Sequence, residues 1–329
     1  MGLWRRILRL GRALALALAP MGVALAVTGQ ATPMPDFRLE DINPGSPRAG
    51  TGVSPRDYVL GISVFYFASL GCDYCRTQYG HLDAVLREVT AARPGLRVSM
   101  VAVNHASDGT RPALGEAVNG AIPWLQDTAA VGAWARWGVE WRDLVVLDAF
   151  NRPVSRDNLT ERDLGEPRRR EILRDGLLAL AEPVDSDGDG LPDVWEIYWS
   201  GGLGLAPDED PDGDGFDNRT EWAMGTNPLD GGSRPQVSLT AERTGELGAL
   251  PRVWVTFRRF GGRVPLRVET SQDWLNWAGM DVWAEEAAGY RDTYDGTGTV
   301  QVRFPLAGVG ESPFGFVRVR AVRDGAVSW

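Results

Sequence analysis

Ile62-Ser63-Val64-Phe65-Tyr66-Phe67-Ala68 runs through Ser69-Leu70-Gly71 into Cys72-Asp73-Tyr74-Cys75, and this stretch decides the fold of the first half of the chain. A near-continuous apolar run of that length is what a central strand covered on both faces requires. From Cys75 onward Tyr79, Leu82, Leu86 and Val89 recur at helical spacing, so the cysteines stand at a helix N-terminus. Pro94-Gly95 ends the helix, and residues 96–103 read as a second buried strand. Helical signals recur over 113–120 and 127–137. A third strand, 144–147, turns through 148–151 into Pro153-Val154. An arginine-rich amphipathic helix over 166–181 is expected to carry Ile172, Leu173, Leu177 and Leu180 inward. Residues 32–58, rich in Pro, Gly and Asp, read as an extended lead-in. Strands alternating with helices predict an α/β sheet with helices on both faces.

Both cysteines of the chain lie in that one tetrapeptide. A covalent staple gains most from closing a long loop, so a four-residue ring is a poor reason for the pair to exist. At a helix N-terminus Cys72 faces unpaired backbone N–H groups and the positive end of the dipole, which favour the attacking thiolate. Cys75, one turn inside, is placed to resolve a mixed disulfide by attacking Cys72. Asp73 opposes the thiolate somewhat. The competing readings are an inert disulfide and a metal site of Cys72, Cys75, His81 and His105. His81 lies six positions into the helix after Cys75 and points elsewhere.

Strand, Cys-x-x-Cys, amphipathic helix and strand together resemble the thioredoxin superfamily. A finer resemblance is to the N-terminal domain of selenoprotein P. It rests on Ala68-Ser69 before the pair, Leu82-x-x-Val85-Leu86 on the helix, Val103-Asn104-His105, and Ile122-Pro123. The resemblance covers roughly residues 55–155 and implies Cys72 as the redox position that is often a selenocysteine in that family. Thioredoxins carry a cis-proline ahead of the third strand, facing the redox pair; here the matching stretch is Glu140-Trp141-Arg142-Asp143, without one. A peroxiredoxin would need proline where Phe65 stands, and copper-delivery relatives space their cysteines by three residues rather than two. Trp124, Trp134, Trp137 and Trp141 crowd the segment before the third strand, either as packing or as a rim for an apolar substrate.

Composition narrows the classes. The chain has 329 residues and all 34 basic ones are arginine. Without lysine there is no Schiff-base chemistry and no lysine-ended phosphate loop. Two histidines make a histidine-rich catalytic zinc centre a poor fit, and a net charge of −10 argues against nucleic acid as partner. Residues 1–31 read as an export signal: Arg5, Arg6, Arg9 and Arg12, an apolar run over 13–27, then Ala24-Leu25-Ala26 or Gly29-Gln30-Ala31 for cleavage. The run is short of a bilayer span and Pro20 interrupts it. The expected location is periplasmic, secreted or cell-surface, with no membrane span after cleavage.

One block sets the acidity. Residues 183–232 hold thirteen acidic side chains against Arg219 alone, in a 25-residue repeat. Asp185-Ser-Asp187-Gly-Asp189-Gly190-Leu191-Pro-Asp193-Val-Trp-Glu196 fits the twelve-residue calcium loop, and Asp210-Pro-Asp212-Gly-Asp214-Gly215-Phe216-Asp217-Asn218-Arg-Thr-Glu221 fits it again. Oxygens at positions 1, 3, 5 and 9 and glutamate at 12 supply side-chain ligands. Gly at 6 permits the turn, and Leu191 and Phe216 at 7 give carbonyls. The expected cofactor is calcium, at two sites. Gly201-Gly202-Leu203-Gly204 breaks any long helix before the second loop, so these EF-hand-like units resemble dockerin and thrombospondin type 3 repeats.

Beyond Pro235 the pattern alternates, at Val237–Thr240, Val253–Phe257, Leu266–Glu269, Val300–Phe304 and Phe316–Val322, which predicts an all-β sandwich. Trp274, Trp277 and Trp283 pack there or stack on sugars. The organisation read from sequence is therefore a signal over 1–31, a thioredoxin-like redox domain over 32–182, paired calcium loops over 183–234 and a β-sandwich over 235–329. The expected function is an exported thiol–disulfide oxidoreductase acting on a thiol or disulfide substrate, expected to be a protein. The alternative is a non-enzymatic secreted or surface calcium-binding protein that uses the fold as a scaffold.

Overall fold

Short apolar stretches separated by turn residues build the first sheet of the computed structural model. It describes residues 31–108, 120–242, 252–260, 266–282, 291–294, 296–306 and 316–322. The expected export signal, nearly all of the helix expected over 113–120, and Trp283 lie outside these. A two-stranded ladder, β1 (Leu39–Glu40) with β2 (Gly52–Val53), and a 3-10 turn at Pro55–Tyr58 precede the sheet. The lead-in is thus more ordered than expected, because Phe37, Leu39, Val53 and Tyr58 are buried.

The central strand β3 (Ile62–Ala68) feeds α1 (Asp73–Ala92), and β4 (Val98–Asn104) returns parallel to it. β5 (Trp124–Gln126) adds to β4 in parallel. After the short helix α2 (Ala133–Trp137), β6 (Asp143–Leu147) and β7 (Pro153–Asn158) complete the other side antiparallel, giving the order β5-β4-β3-β6-β7. α3 (Pro167–Ala181) closes the unit against α1. This is a thioredoxin-like sheet.

Every residue of β3 is buried, as its composition demanded. Val64, Tyr66 and Ala68 face Tyr79, Leu82 and Val85 of α1 and Leu177 of α3, while Phe65 and Phe67 face Trp134 and Trp137 of α2 with Phe37 and Tyr58. Two expectations need correction. The helix expected over 127–137 is confined to Ala133–Trp137, because Asp127 caps it, its carboxylate accepting from the N–H groups of Ala133 (3.0 Å) and Trp134 (3.1 Å). On α3, Ile172 and Leu180 are exposed; Leu173, Leu177, Leu178 and Ala181 form the inward stripe.

The acidic segment folds as two loops, each leading into a short helix, α4 (Asp193–Ser200) and α5 (Asn218–Met224). β8 (Val237–Glu242), β9 (Arg252–Arg259), β10 (Leu266–Ser271), β11 (Ala278–Val282), β12 (Arg291–Tyr294), β13 (Val300–Leu306) and β14 (Phe316–Ala321) follow. They form a four-stranded sheet, β12-β13-β9-β8, and a three-stranded one, β11-β10-β14, both antiparallel.

A single apolar cluster runs across the boundaries read at 182 and 234. It joins Leu60 to Leu191, Trp195, Leu205 and Trp222, and these to Val255, Phe257, Val268 and Val319. Hydrogen bonds tie α5 to the strands: Phe260 N–H, just past β9, donates to the Ala223 carbonyl (2.7 Å), and Ala321 N–H of β14 to the side-chain Thr220 Oγ1 (3.0 Å). Arg97 of the first unit lies over the Phe260 ring at 3.5 Å. Among the described residues no helix is long and apolar enough to cross a membrane.

Candidate functional site

The turn between β3 and α1 places the cysteines. Asn104, buried at the end of β4, accepts the Leu70 N–H at 3.0 Å and fixes the approach. Cys72 is then the N-cap of α1, with extended backbone (φ −104°, ψ 113°), and its Sγ accepts the Cys75 N–H at 3.2 Å. Cys72 is partly exposed, Cys75 fully buried, and both are free thiols. This is the asymmetry an attacking and a resolving sulfur need.

Electrostatics deepens that asymmetry. Burial alone would raise the Cys72 pKa. Hydrogen bonds from the Cys75 thiol and N–H, together with the Arg142 guanidinium, outweigh it and hold Cys72 below the ordinary thiol range. Burial raises Cys75, and the hydrogen bond it shares with Cys72 raises it further. Tyr66 of β3 lies against the pair and is kept neutral by burial and by Cys75. Asp73, which the sequence sets against the thiolate, is solvent-exposed and ion-paired to Arg76.

Arg142 is a candidate site residue that the sequence did not single out. It occupies the stretch where a thioredoxin would carry its cis-proline, with all described peptide bonds trans and a positive φ of 73°. Its backbone N–H donates to the Phe67 carbonyl at 2.8 Å, which pins it to the end of β3. Its Nη2 reaches Cys72 Sγ at 3.9 Å, its guanidinium lies 4.8 Å over the Tyr74 ring, and Nη1 donates to Thr160 Oγ1 at 3.2 Å. Tyr74 is itself anchored by its hydroxyl to the Leu159 carbonyl (2.6 Å). The only signal in the sequence was place: Arg142 sits just before the third strand, in the segment facing the redox pair.

The tryptophan cluster divides. Trp124 and Trp137 are buried core residues. Trp134 and the half-exposed Trp141 meet His105, with ring centroids 4.8–5.0 Å apart, beside Arg142. In the β region Trp274 is exposed and stacks on Phe316 at 4.1 Å, while Arg318 covers Trp277 at 3.9 Å.

The acidic loops repeat the same turn-forming hydrogen bonds. Asp185 accepts the N–H groups of Gly188 (2.7 Å) and Gly190 (3.0 Å), and Asp210 those of Gly213 and Gly215 (2.9 Å each). Asp189 accepts from Leu191 and Asp214 from Phe216. Gly190 and Gly215 turn at φ 94° and 96°, a conformation that requires glycine. Asp185, Asp187 and Asp189 bring carboxylate oxygens within 4.8 Å of one another, as do Asp210, Asp212 and Asp214.

The residues fit a hard cation. Glu221 is wholly buried, and neither of its carboxylate oxygens has a hydrogen-bond partner; Glu196 Oε2 and Asp212 Oδ2 are equally orphaned. Burial, with the neighbouring aspartates, pushes Glu196 up to about 7 and Glu221 up to about 8. Buried acceptors with no donor, each beside an aspartate triad, are the donor set of a calcium site. Leu191 is buried and Phe216 partly so at the carbonyl positions. Asp193 instead accepts from the Ser186 N–H (2.7 Å) and hydroxyl (2.5 Å), and Asn218 donates to the Ala206 carbonyl at 2.7 Å while its Oδ1 stays unpaired.

The bacterial TSP3 repeat family matches residues 185–198 and 210–231, so each of the two acidic loops falls within a match to that repeat. No curated protein sequence matches the chain. Among solved structures, the first half is similar to a secreted Mycobacterium tuberculosis disulfide oxidoreductase homologous to E. coli DsbE, at 20% identity over 44% of this chain and 96% of that one, TM-score 0.32. It is also similar to the thioredoxin domain of a thiol-disulfide oxidoreductase from Bacteroides vulgatus, at 13% identity over 46% and 99%, TM-score 0.34. ScoI of Bradyrhizobium japonicum, solved with copper bound, matches at 17% identity over 45% and 100%, TM-score 0.34. None of these likenesses says what this chain acts on.

Proposed function

We propose that the chain is an exported thiol–disulfide oxidoreductase whose redox pair is Cys72 and Cys75, with calcium held at two sites in the TSP3 repeats. The observation that carries the redox reading is the contrast between the two sulfurs. Cys72 is accessible, capped by an N–H and faced by a guanidinium, while Cys75 is buried and held as thiol. The Cys72 thiolate attacks a substrate disulfide R–S–S–R′, forming Cys72–S–S–R and releasing R′–S⁻, which takes up the Cys75 proton. Cys75 then attacks Cys72 Sγ, releasing R–S⁻ and closing the Cys72–Cys75 disulfide. Two electrons pass from the pair to the substrate, and an external dithiol restores the pair; run backwards, the same steps oxidise a substrate dithiol. Catalysed reduction of insulin, together with a measured potential for the pair, tests the reading. A chain that does not cycle, with a Cys72 thiol titrating at its free value, would favour the scaffold alternative instead.

Arg142→Ala should raise the Cys72 pKa, since it removes the facing cation. The expected result is an upward shift of the pH profile of iodoacetamide alkylation and a several-fold slower reaction below neutral pH. Arg142→Lys should recover part of the effect, keeping the charge without the planar fork. An unchanged profile in Arg142→Ala removes Arg142 from the account.

Within the thioredoxin-like class, the Ala68-Ser69, Val103-Asn104-His105 and Ile122-Pro123 pattern supports the selenoprotein P-like branch. For calcium, we assign Asp185, Asp187, Asp189 and Glu196 to one ion and Asp210, Asp212, Asp214 and Glu221 to the other, with the carbonyls of Leu191 and Phe216; Asp193 and Asn218 take part through water. When bound, calcium would offset part of each loop's negative charge and let Glu196 and Glu221 remain ionised inside the protein.

A further inference from the structure

The geometry points to a substrate subsite beside Cys72 that takes the side chain of an arginine or lysine next to the substrate's reactive cysteine; this rests on the redox reading above. An open cleft of about 680 Å³, roomy enough to admit a long side chain, is walled by His105, Trp134, Trp141, Glu140, Thr160 and Glu161. Arg142 links it to the chemistry. Its guanidinium bonds Thr160 Oγ1 in the cleft wall through one nitrogen and approaches Cys72 Sγ through another. A polypeptide whose sulfur reaches Cys72 therefore lays its neighbouring residue into this cleft.

Three features set what the cleft prefers. Trp141 is 45% exposed, held from below by Trp134 and His105, and its backbone carbonyl accepts from Asn158 (2.9 Å). A fixed indole of this kind is a platform for a flat cation or an aliphatic stem. Glu140 and Glu161 are both exposed, and neither carboxylate pairs with a described cation, although arginines nearby are engaged: Arg156 with Asp143 and Arg162 with Asp157. Of the cations that reach the edge, Arg142 is matched by the Cys72 thiolate, and Arg156, which donates to the Gly138 carbonyl of the wall at 2.7 Å, is paired with Asp143. What remains facing an incoming side chain is an indole and two negative charges, complementary to a basic residue and repulsive to an acidic one.

The test uses the reduced full chain and two synthetic peptides differing at one position. Serine stands for the substrate cysteine, so that no exchange occurs, flanked by arginine in one peptide and glutamate in the other. Followed by tryptophan fluorescence, the arginine peptide should bind about tenfold more tightly, and the gap should narrow as salt is added. Glu140→Gln with Glu161→Gln should remove the difference, and Trp141→Ala should weaken the arginine peptide. Equal affinities for the two peptides in the unaltered chain overturn the subsite. Hydroxyethyl disulfide, too small to span the cleft, reports the cysteine pair separately: turnover without peptide preference sinks the subsite alone, and absence of turnover strikes the redox reading.

Discussion

Replacing Cys72 with serine should leave a folded chain whose disulfide exchange falls by on the order of 10³-fold or more, the scale seen when a covalent nucleophile is removed. The fold tolerates the change because Cys72 is at a helix N-cap, partly exposed, and serine is a favoured cap that accepts the same Cys75 N–H. The chemistry does not tolerate it, because a hydroxyl beside Arg142 is not ionised as a thiol is. Cys75→Ser should behave differently. Its variant still attacks but cannot resolve, so a mixed disulfide to Cys72 accumulates and is visible by mass. If Cys72→Ser retained full activity, or if Cys72→Ser rather than Cys75→Ser accumulated the mixed disulfide, the assignment of the two sulfurs would be reversed or lost.

Chelation of calcium should lower the melting temperature by about 7 °C. For sites of extracellular type, with affinity on the order of 10⁻⁴ M, about 10 mM calcium contributes roughly 2.7 kcal/mol per ion. Two ions therefore contribute about 5 kcal/mol, and a chain of 329 residues shifts by about 1.5 °C per kcal/mol. The effect should be global, because Trp195 and Trp222 of the loop helices share a core with Val255 and Phe257 of the β-sheets. Glu221→Gln should reproduce much of the loss at the second site while making the chain less sensitive to chelator. A midpoint indifferent to chelator would remove calcium from the stability of the protein.

How much of this was legible in the sequence follows from how local each signal is. β3, α1 and β4 were read because an unbroken apolar run and a helical stripe depend on neighbours in the chain. The calcium loops were read position by position because the ion dictates residue types over twelve consecutive residues. β5, β11 and β12 were missed because each is short: β5 is held by β4 across an intervening segment, and β11 and β12 by the neighbouring strands β10 and β13, with too few residues of their own to show a period. The inward face of α3 was misjudged at Ile172 and Leu180 because α1 selects a stripe rotated toward Leu173, Leu178 and Ala181. Arg142 could not be found by pattern. Its role comes from a positive φ and a guanidinium that meets a sulfur seventy residues away.

The apolar cluster that crosses residue 234 has a practical bearing on any attempt to dissect the chain. Its linker-like composition, with Asn227-Pro228 and Gly231-Gly232, invites truncation there, yet Trp222, Ala223 and Met224 lie just upstream and are covered by strands downstream. A fragment ending at this point would carry an open hydrophobic wound, and so would the severed C-terminal piece. Both should precipitate, whereas co-expressing the two fragments should rescue solubility by letting the halves of the wound find each other.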